Sequence, residues 1–173
     1  MITNIQLTTK EKFLLEDSKS HEEQCILKYD NYANIACDSE LKAVFRSNGQ
    51  KEKEHLQTIN QLLSGQVPAM GGQGSSGSQG GNQNNTSTAM PTSQQSTVDN
   101  KTMANCGFNA SDKDLCADML TSEKYISGAY DTAIFEFKDA SVRDVLNHIQ
   151  KEEQKHGEAI FAYMQSKGMY KTS

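Results

Sequence analysis

Two short segments of this chain carry a glutamate three residues before a histidine: Glu52 with His55, and Glu153 with His156. Residues three apart on a helix project from one face, so each pair can offer a carboxylate and an imidazole to the same cation. Two more glutamates, Glu22 and Glu123, stand thirty residues before Glu52 and Glu153, and each is followed seven residues on by a tyrosine, Tyr29 or Tyr130. One glutamate from each of two helices and a Glu-x-x-His from each of two others is the ligand set of di-iron and di-manganese carboxylate sites in helical bundles.

An internal repeat relates these residues. Adding 101 to the residue number carries Glu22 to Glu123, Tyr29 to Tyr130, Asp30 to Asp131, Glu52 to Glu153 and His55 to His156. Leu14 and Leu115, Asp38 and Asp139, Val44 and Val145, and Ile59 and Ile160 coincide as well. Most other positions differ, so the pattern is a diverged duplication that has kept an unusual number of polar side chains. Either Glu-x-x-His alone would read as a solvated helix face. Two in the same phase, each preceded by Glu-x6-Tyr-Asp, point inward together. The repeat also separates the candidates from their neighbours, because Glu23 falls on Lys124 and Glu54 on Lys155.

We assign Glu52 and Glu153 as bridging ligands, with Glu22 and Glu123 as terminal ones; each of two divalent metals also takes one histidine. Oxygen and imidazole donors suit iron or manganese, and zinc also fits. Tyr29 and Tyr130 are expected either to hydrogen-bond the ligating carboxylates or to be ordinary core aromatics with a polar tip. Asp30 and Asp131 lie a quarter turn off that face and read as surface residues. No catalytic residue separate from the ligands is assigned.

Four helices must position this set. The first is expected from about Thr9 to Cys37 and the second from Glu40 to Leu63, with a turn at Asp38–Ser39. The third is expected from Asp112 to Lys138 and the fourth from a turn at Asp139–Ala140 to about Lys167. Ser141 and Asp144 have capping-box spacing for the fourth helix, and Gly168 is a natural stop. Glu22 lies about 16 residues before the first turn, roughly 24 Å of helix, and Glu52 about 13 residues after it, roughly 20 Å. The two are therefore level, and the same holds for Glu123 and Glu153.

Between the helical pairs, residues 66–110 are rich in Gly, Ser, Gln, Asn and Thr and hold both prolines, Pro68 and Pro91. We read this stretch as a flexible linker, with an end-to-end distance of roughly 35–40 Å by the random-coil rule. A long crossover joins a first hairpin (residues 9–65) to a second (residues 111–170) in one domain. The expected fold is thus all-α, a four-helix bundle of two repeated hairpins with the long connection of ferritin-like topology.

Composition removes several other classes. A net charge of −5 argues against nucleic acid, and no eighteen-residue apolar run offers a membrane span. Residues 1–10 have neither a basic nor an apolar region of the secretory kind, so synthesis in the cytoplasm is expected. Cys25, Cys37, Cys106 and Cys116 form no Cys-x-x-Cys pair, which removes support for a zinc knuckle, a rubredoxin-type iron site or a thioredoxin motif.

The Glu-x6-Tyr and Glu-x-x-His arrangement resembles the rubrerythrin and ferritin-like superfamily across both hairpins. More narrowly, DKDLCADMLTSEKYISGAYDTAIFEF, VRDVLNHIQKEEQKH and the ending YMQSKGMY are similar to the spore coat protein F family. That resemblance implies a ferritin-like fold, an endospore-forming bacterium, deposition in the spore coat, and other coat proteins or further copies of the chain as partners. Without a rubredoxin-like module, it carries over no internal electron relay. Three readings follow: a coat scaffold, a di-iron or di-manganese oxidoreductase acting on peroxide or oxygen, and a metal-free helical interaction module.

Overall fold

The computed structural model describes residues 3–68 and 111–170. Four long helices dominate: α1 (Thr9–Ile35), α2 (Ser39–Leu63), α3 (Asp112–Glu136) and α4 (Ala140–Ser166). Proline is absent from all four, and each begins at a side chain that caps a free backbone N–H. Thr8 and Glu11 form a capping box at α1, and Ser111 and Asp114 form one at α3. Asp38 accepts from the Glu40 amide at 2.8 Å to start α2. The fourth helix departs from the expected cap. Asp139, rather than Ser141, is its N-cap and accepts from the Ser141 amide at 2.8 Å, while the Ser141 hydroxyl donates to the same oxygen at 2.6 Å. An aspartate two residues earlier captures Ser141, so the Ser141–Asp144 box does not form. Gly168 follows α4 with φ +67°, in the conformation that glycine tolerates best.

Helices α1 and α2 pack as one pair and α3 and α4 as another, with α1 against α3 and α2 against α4. The cross-pair contacts give the directions. Lys28 reaches Asp118 at 2.7 Å, and Asp112 accepts from the amides of Cys37 and Asp38 at 2.7 and 2.9 Å, so α1 and α3 are antiparallel. Lys167 at the end of α4 meets Asp38 and Glu40 at the start of α2, so these helices are antiparallel too. Consequently α2 and α3 run parallel, and the chain leaves α2 at one end of the four helices and enters α3 at the other. Residues 69–110, most of the expected linker, lie outside the described residues, as does Cys106.

The first residues of the expected linker are part of the fold. Strand β1 (Thr3–Asn4) pairs antiparallel with β2 (Gln66–Val67), and Val67 is buried. Gly65 makes the turn from α2 into β2 with φ +82°; a side chain there would also lie 3.1 Å from the Ile5 carbonyl. The missed signal is nonlocal, because a two-residue strand has meaning only beside its partner. The helices also end two residues earlier than expected after α1 and α3, where Ala36 and Phe137 turn to extended or intermediate backbone and are themselves buried.

Both cross-braces at the bundle ends follow the repeat. Glu11 accepts from the Lys138 amide at 2.8 Å, and Asp112, 101 residues later, accepts from the Cys37 amide, 101 residues before Lys138. Each hairpin's first carboxylate thus holds the turn of the other hairpin. Between these ends the core is filled by Leu15, Leu41, Phe45 and Ile59 from one pair and by Met119, Leu146, Ile149 and Ile160 from the other.

Gly49 lets α2 approach α1 closely, since a Cβ on it would lie 2.9 Å from the Cβ of Tyr29. In an exposed helix, Gly→Ala would stabilise by about 1 kcal/mol. Here the added methyl must push two backbones apart, an overpacking that costs typically 1–3 kcal/mol. Gly49→Ala is expected to lower the thermal midpoint; an unchanged or raised midpoint in calorimetry would show that the close approach is not a constraint.

Candidate metal centre

All six residues singled out by the repeat meet in the middle of the bundle. Glu22 comes from α1, Glu52 and His55 from α2, Glu123 from α3, and Glu153 and His156 from α4; all are buried. They form two overlapping groups, one of Glu22, Glu52, His55 and Glu153, the other of Glu52, Glu123, Glu153 and His156. In each group one ligand atom per residue lies within 4.8 Å of every other. Glu52 and Glu153 belong to both.

The geometry explains how two carboxylates serve two groups. The Nδ1 atom of His55 lies 3.2 Å from Glu52 Oε2 and 3.0 Å from Glu153 Oε1. The Nδ1 atom of His156 lies 3.0 Å from Glu52 Oε1 and 3.5 Å from Glu153 Oε2. Each central glutamate therefore turns one oxygen to each histidine. Glu22 stands 3.7 Å from His55, and Glu123 stands 3.8 Å from His156, one at either end. The imidazoles stack with centroids 5.6 Å apart.

Tyr29 donates its hydroxyl hydrogen to Glu123 Oε1, and Tyr130 donates to Glu22 Oε1. Both tyrosines are buried and hold the outer carboxylate of the opposite hairpin. Of the two expectations for these tyrosines, hydrogen bonds to the candidate carboxylates are the one observed, and each partner lies across the α1–α3 contact. Asn48 is a residue the repeat could not find, because its counterpart is Ile149. It donates to the Tyr29 hydroxyl at 3.1 Å and to the His156 carbonyl at 3.4 Å. Its only sequence signal was the position one turn before Glu52 on the same face. Asp30 is at the surface with Lys53 at 3.2 Å, and Asp131 is exposed. Glu23, Glu54 and Glu152 point away toward Lys19, Lys51 and Lys155.

Among the described residues no Lys or Arg is buried, so the centre must balance its own charge. Burial raises the Glu22 and Glu123 carboxyls to about 8, helped by the neighbouring carboxylates and only partly opposed by His55 and His156 respectively. Burial also acts to raise Glu153, but hydrogen bonds from His156 and His55 overcome it and bring the carboxyl down to about 2. Glu52 is lowered for the same reason. Burial acts to lower the imidazoles, yet the surrounding carboxylates carry His55 up to about 12 and His156 up to about 11. At neutral pH two imidazolium groups thus face two carboxylates, and two protonated carboxyls flank them.

The residues fit a pair of divalent cations by two independent tests. Glu22 Oε2 and Glu123 Oε2 are buried without a hydrogen-bond partner, a costly state for carboxyl oxygens that a cation would relieve. The donor set is also balanced, since four carboxylates and two neutral imidazoles neutralise two dications. Glu22, Glu52, His55 and Glu153 could hold one ion, and Glu52, Glu123, Glu153 and His156 the other.

A cleft of about 570 Å³ opens between α3 and α4, with Glu123 and Glu153 among its lining residues. Comparison with known protein families matches residues 111–173 to the Coat F domain, which takes in α3, α4 and the residues after them. No curated protein and no solved structure matches the chain.

The protonation pattern sets a pH dependence for the metal-free protein. Glu22 and Glu123 keep protons that the unfolded chain releases above its ordinary carboxyl value of 4.5, so stability falls as pH rises from about 4.5 through about 8. Above 6.5 the raised histidines act in the same direction, since their stabilising protons are lost only through about 11 to 12. In the presence of a chelator, the thermal midpoint should drop by roughly 5–10 °C between pH 5.5 and 8.5. Replacing Glu22 and Glu123 with Gln should flatten that slope. A midpoint that climbs over this range would contradict the protonation pattern.

Proposed function

We propose that this chain is a spore coat component whose helical bundle, ferritin-like in connection and ligand arrangement, carries a di-metal carboxylate centre of iron or manganese. The observation that carries the metal reading is the sharing of Glu52 and Glu153 between two buried four-residue groups, with carboxylate oxygens left unpartnered. The reciprocal pairs Tyr29–Glu123 and Tyr130–Glu22, and Glu11–Lys138 and Asp112–Cys37, support a bundle of two related hairpins. The Coat F match to residues 111–173 supports the coat setting.

In this reading Glu52 and Glu153 would be shared by the two ions as bridging ligands, Glu22 and Glu123 would be terminal ligands, and His55 and His156 would each offer the Nδ1 that faces the carboxylates. Tyr29 and Tyr130 fix the outer carboxylates by hydrogen bonds, as supporting groups do in metal sites generally. Bound iron or manganese would supply redox chemistry and a Lewis acid at a fixed position. Coat assembly needs surface contacts, and Phe13 on α1 with Tyr125 and Phe135 on α3 expose large apolar side chains suited to other coat proteins or to further copies of this chain. No helix among the described residues is long and apolar enough to cross a membrane, so attachment to the spore would rest on such contacts.

A second reading, an oxidoreductase acting on peroxide or oxygen, is favoured by the cleft that reaches Glu123 and Glu153. It is compatible with a coat location. The metal-free module is less well supported, because it leaves Glu22 and Glu123 each with a buried oxygen that lacks a hydrogen-bond partner.

Protein purified from its native cells should contain about two metal ions per chain, and a Glu52→Ala/Glu153→Ala variant should contain almost none. Equal metal content in the two, measured by elemental analysis, would sink the ligand assignment. Spore association separates the roles: a folded His156→Ala variant should still enter the coat if the bundle acts there as a scaffold. Its absence from the coat would tie assembly to the metal centre instead.

A further inference from the structure

The two hairpins present the same ligands but unequal walls. In the second, Gly157 lies one residue beyond His156, half-buried on α4, and lines the cleft between α3 and α4. The repeat puts Leu56 at the matching place on α2, and it puts Ile26 on α1 where α3 has Ser127, which also lines the cleft. Both larger residues are half-buried. The second hairpin is therefore hollow where the first carries branched side chains.

The shape and lining of this hollow restrict what can enter. Its volume of about 570 Å³ falls within the range of small-molecule sites. Leu120 on α3 and Phe161 on α4 form apolar walls, and Tyr170 closes over Phe161 edge-on, with ring centroids 5.0 Å apart. Deeper in, the lining includes Glu153 and Glu123; Tyr29 holds Glu123 Oε1, and Glu123 Oε2 is left without a hydrogen-bond partner. Apolar walls disfavour a charged body, and the carboxylates disfavour an anionic head. A hydroxyl, by contrast, both donates and accepts and can pair with the Glu123 carboxyl in either protonation state.

We propose that the α3–α4 cleft is a binding site for a small uncharged organic molecule, with an apolar body about the size of a benzene ring and a hydroxyl-type head directed at Glu123 and Glu153. Gly157 makes the room. The site's role as an approach to the metal centre rests on the reading given above, whereas its existence belongs to the protein alone. It would give the two ends of the centre different access, with molecules arriving on the side of Glu123 and His156.

The test uses 4-fluorophenol as the probe, titrated into the full metal-free chain and followed by fluorine NMR. Saturable binding to the wild type is expected. Gly157→Leu, which restores the residue of the first hairpin, should weaken it by roughly tenfold or more. A Cβ at position 157 would meet Leu120 Cδ1 at 3.6 Å and Glu123 Cβ at 4.0 Å, ordinary contacts that a helix can accept. Gly157→Ala should accordingly fold and retain most of the binding. If Gly157→Leu does not fold, Leu120→Phe narrows the same cleft from α3 and should weaken the probe in the same way. No saturable binding to the wild type, or unchanged affinity in the cleft-filling variant that folds, overturns the proposal. Metal content of the wild type is measured separately, so loss of the metal reading and loss of the cleft are distinct results.

Discussion

Glu52 and Glu153 are fully buried at the centre of the bundle, each facing both histidines, and no buried Lys or Arg stands among the described residues to offset them. Unpaired charge in such a place costs more than a small domain's whole margin of stability, so the surroundings must neutralise it. Two imidazoliums do so in the metal-free protein, and two dications can do so in their place. Much of the architecture follows from that need. Four helices must bring their acidic positions to one level, in phase, with the histidines between the carboxylates. The long helices, the caps that fix their starts, and the carboxylates of Glu11 and Asp112 that hold the opposite turns all serve this alignment.

The hydrogen bonds of Tyr29 and Tyr130 bind the hairpins together through the same centre. Because each tyrosine holds the other hairpin's glutamate, neither hairpin can complete its half of the centre alone. This reciprocity makes packing between hairpins and order at the centre one event.

The two halves bring matching residues to the centre and differ around them. Asn48 supports Tyr29 and the backbone of His156, while the matching Ile149 can support nothing by hydrogen bonding. Gly49 draws α2 against α1, whereas Gln150 stands at the matching place on α4 and donates to the Ser127 carbonyl at 3.1 Å. Cys25 lies buried in α1 where α3 has Ile126, and burial next to Glu52 and the other glutamates keeps its thiol protonated. The two hairpins thus match at the centre and differ in their walls, and the open side lies in the half that matches the Coat F domain.

The helices, their number and the identity of the six central residues were legible in the residues alone, because helical phase and a repeat of 101 are properties of the chain. Glu22, Glu52, His55, Glu123, Glu153 and His156 could be named from spacing alone, since residues three and seven apart must share a helix face. Packing was needed to show which hairpin each tyrosine serves, that Gln66–Val67 pairs with Thr3–Asn4, that Asp139 rather than Ser141 caps α4, and that Asn48 and Gly157 border the centre. These depend on contacts between residues far apart in the chain or on competition between two nearby side chains. Neither leaves a period or a motif to read. Spacing along a helix fixes direction, but only packing fixes the partner.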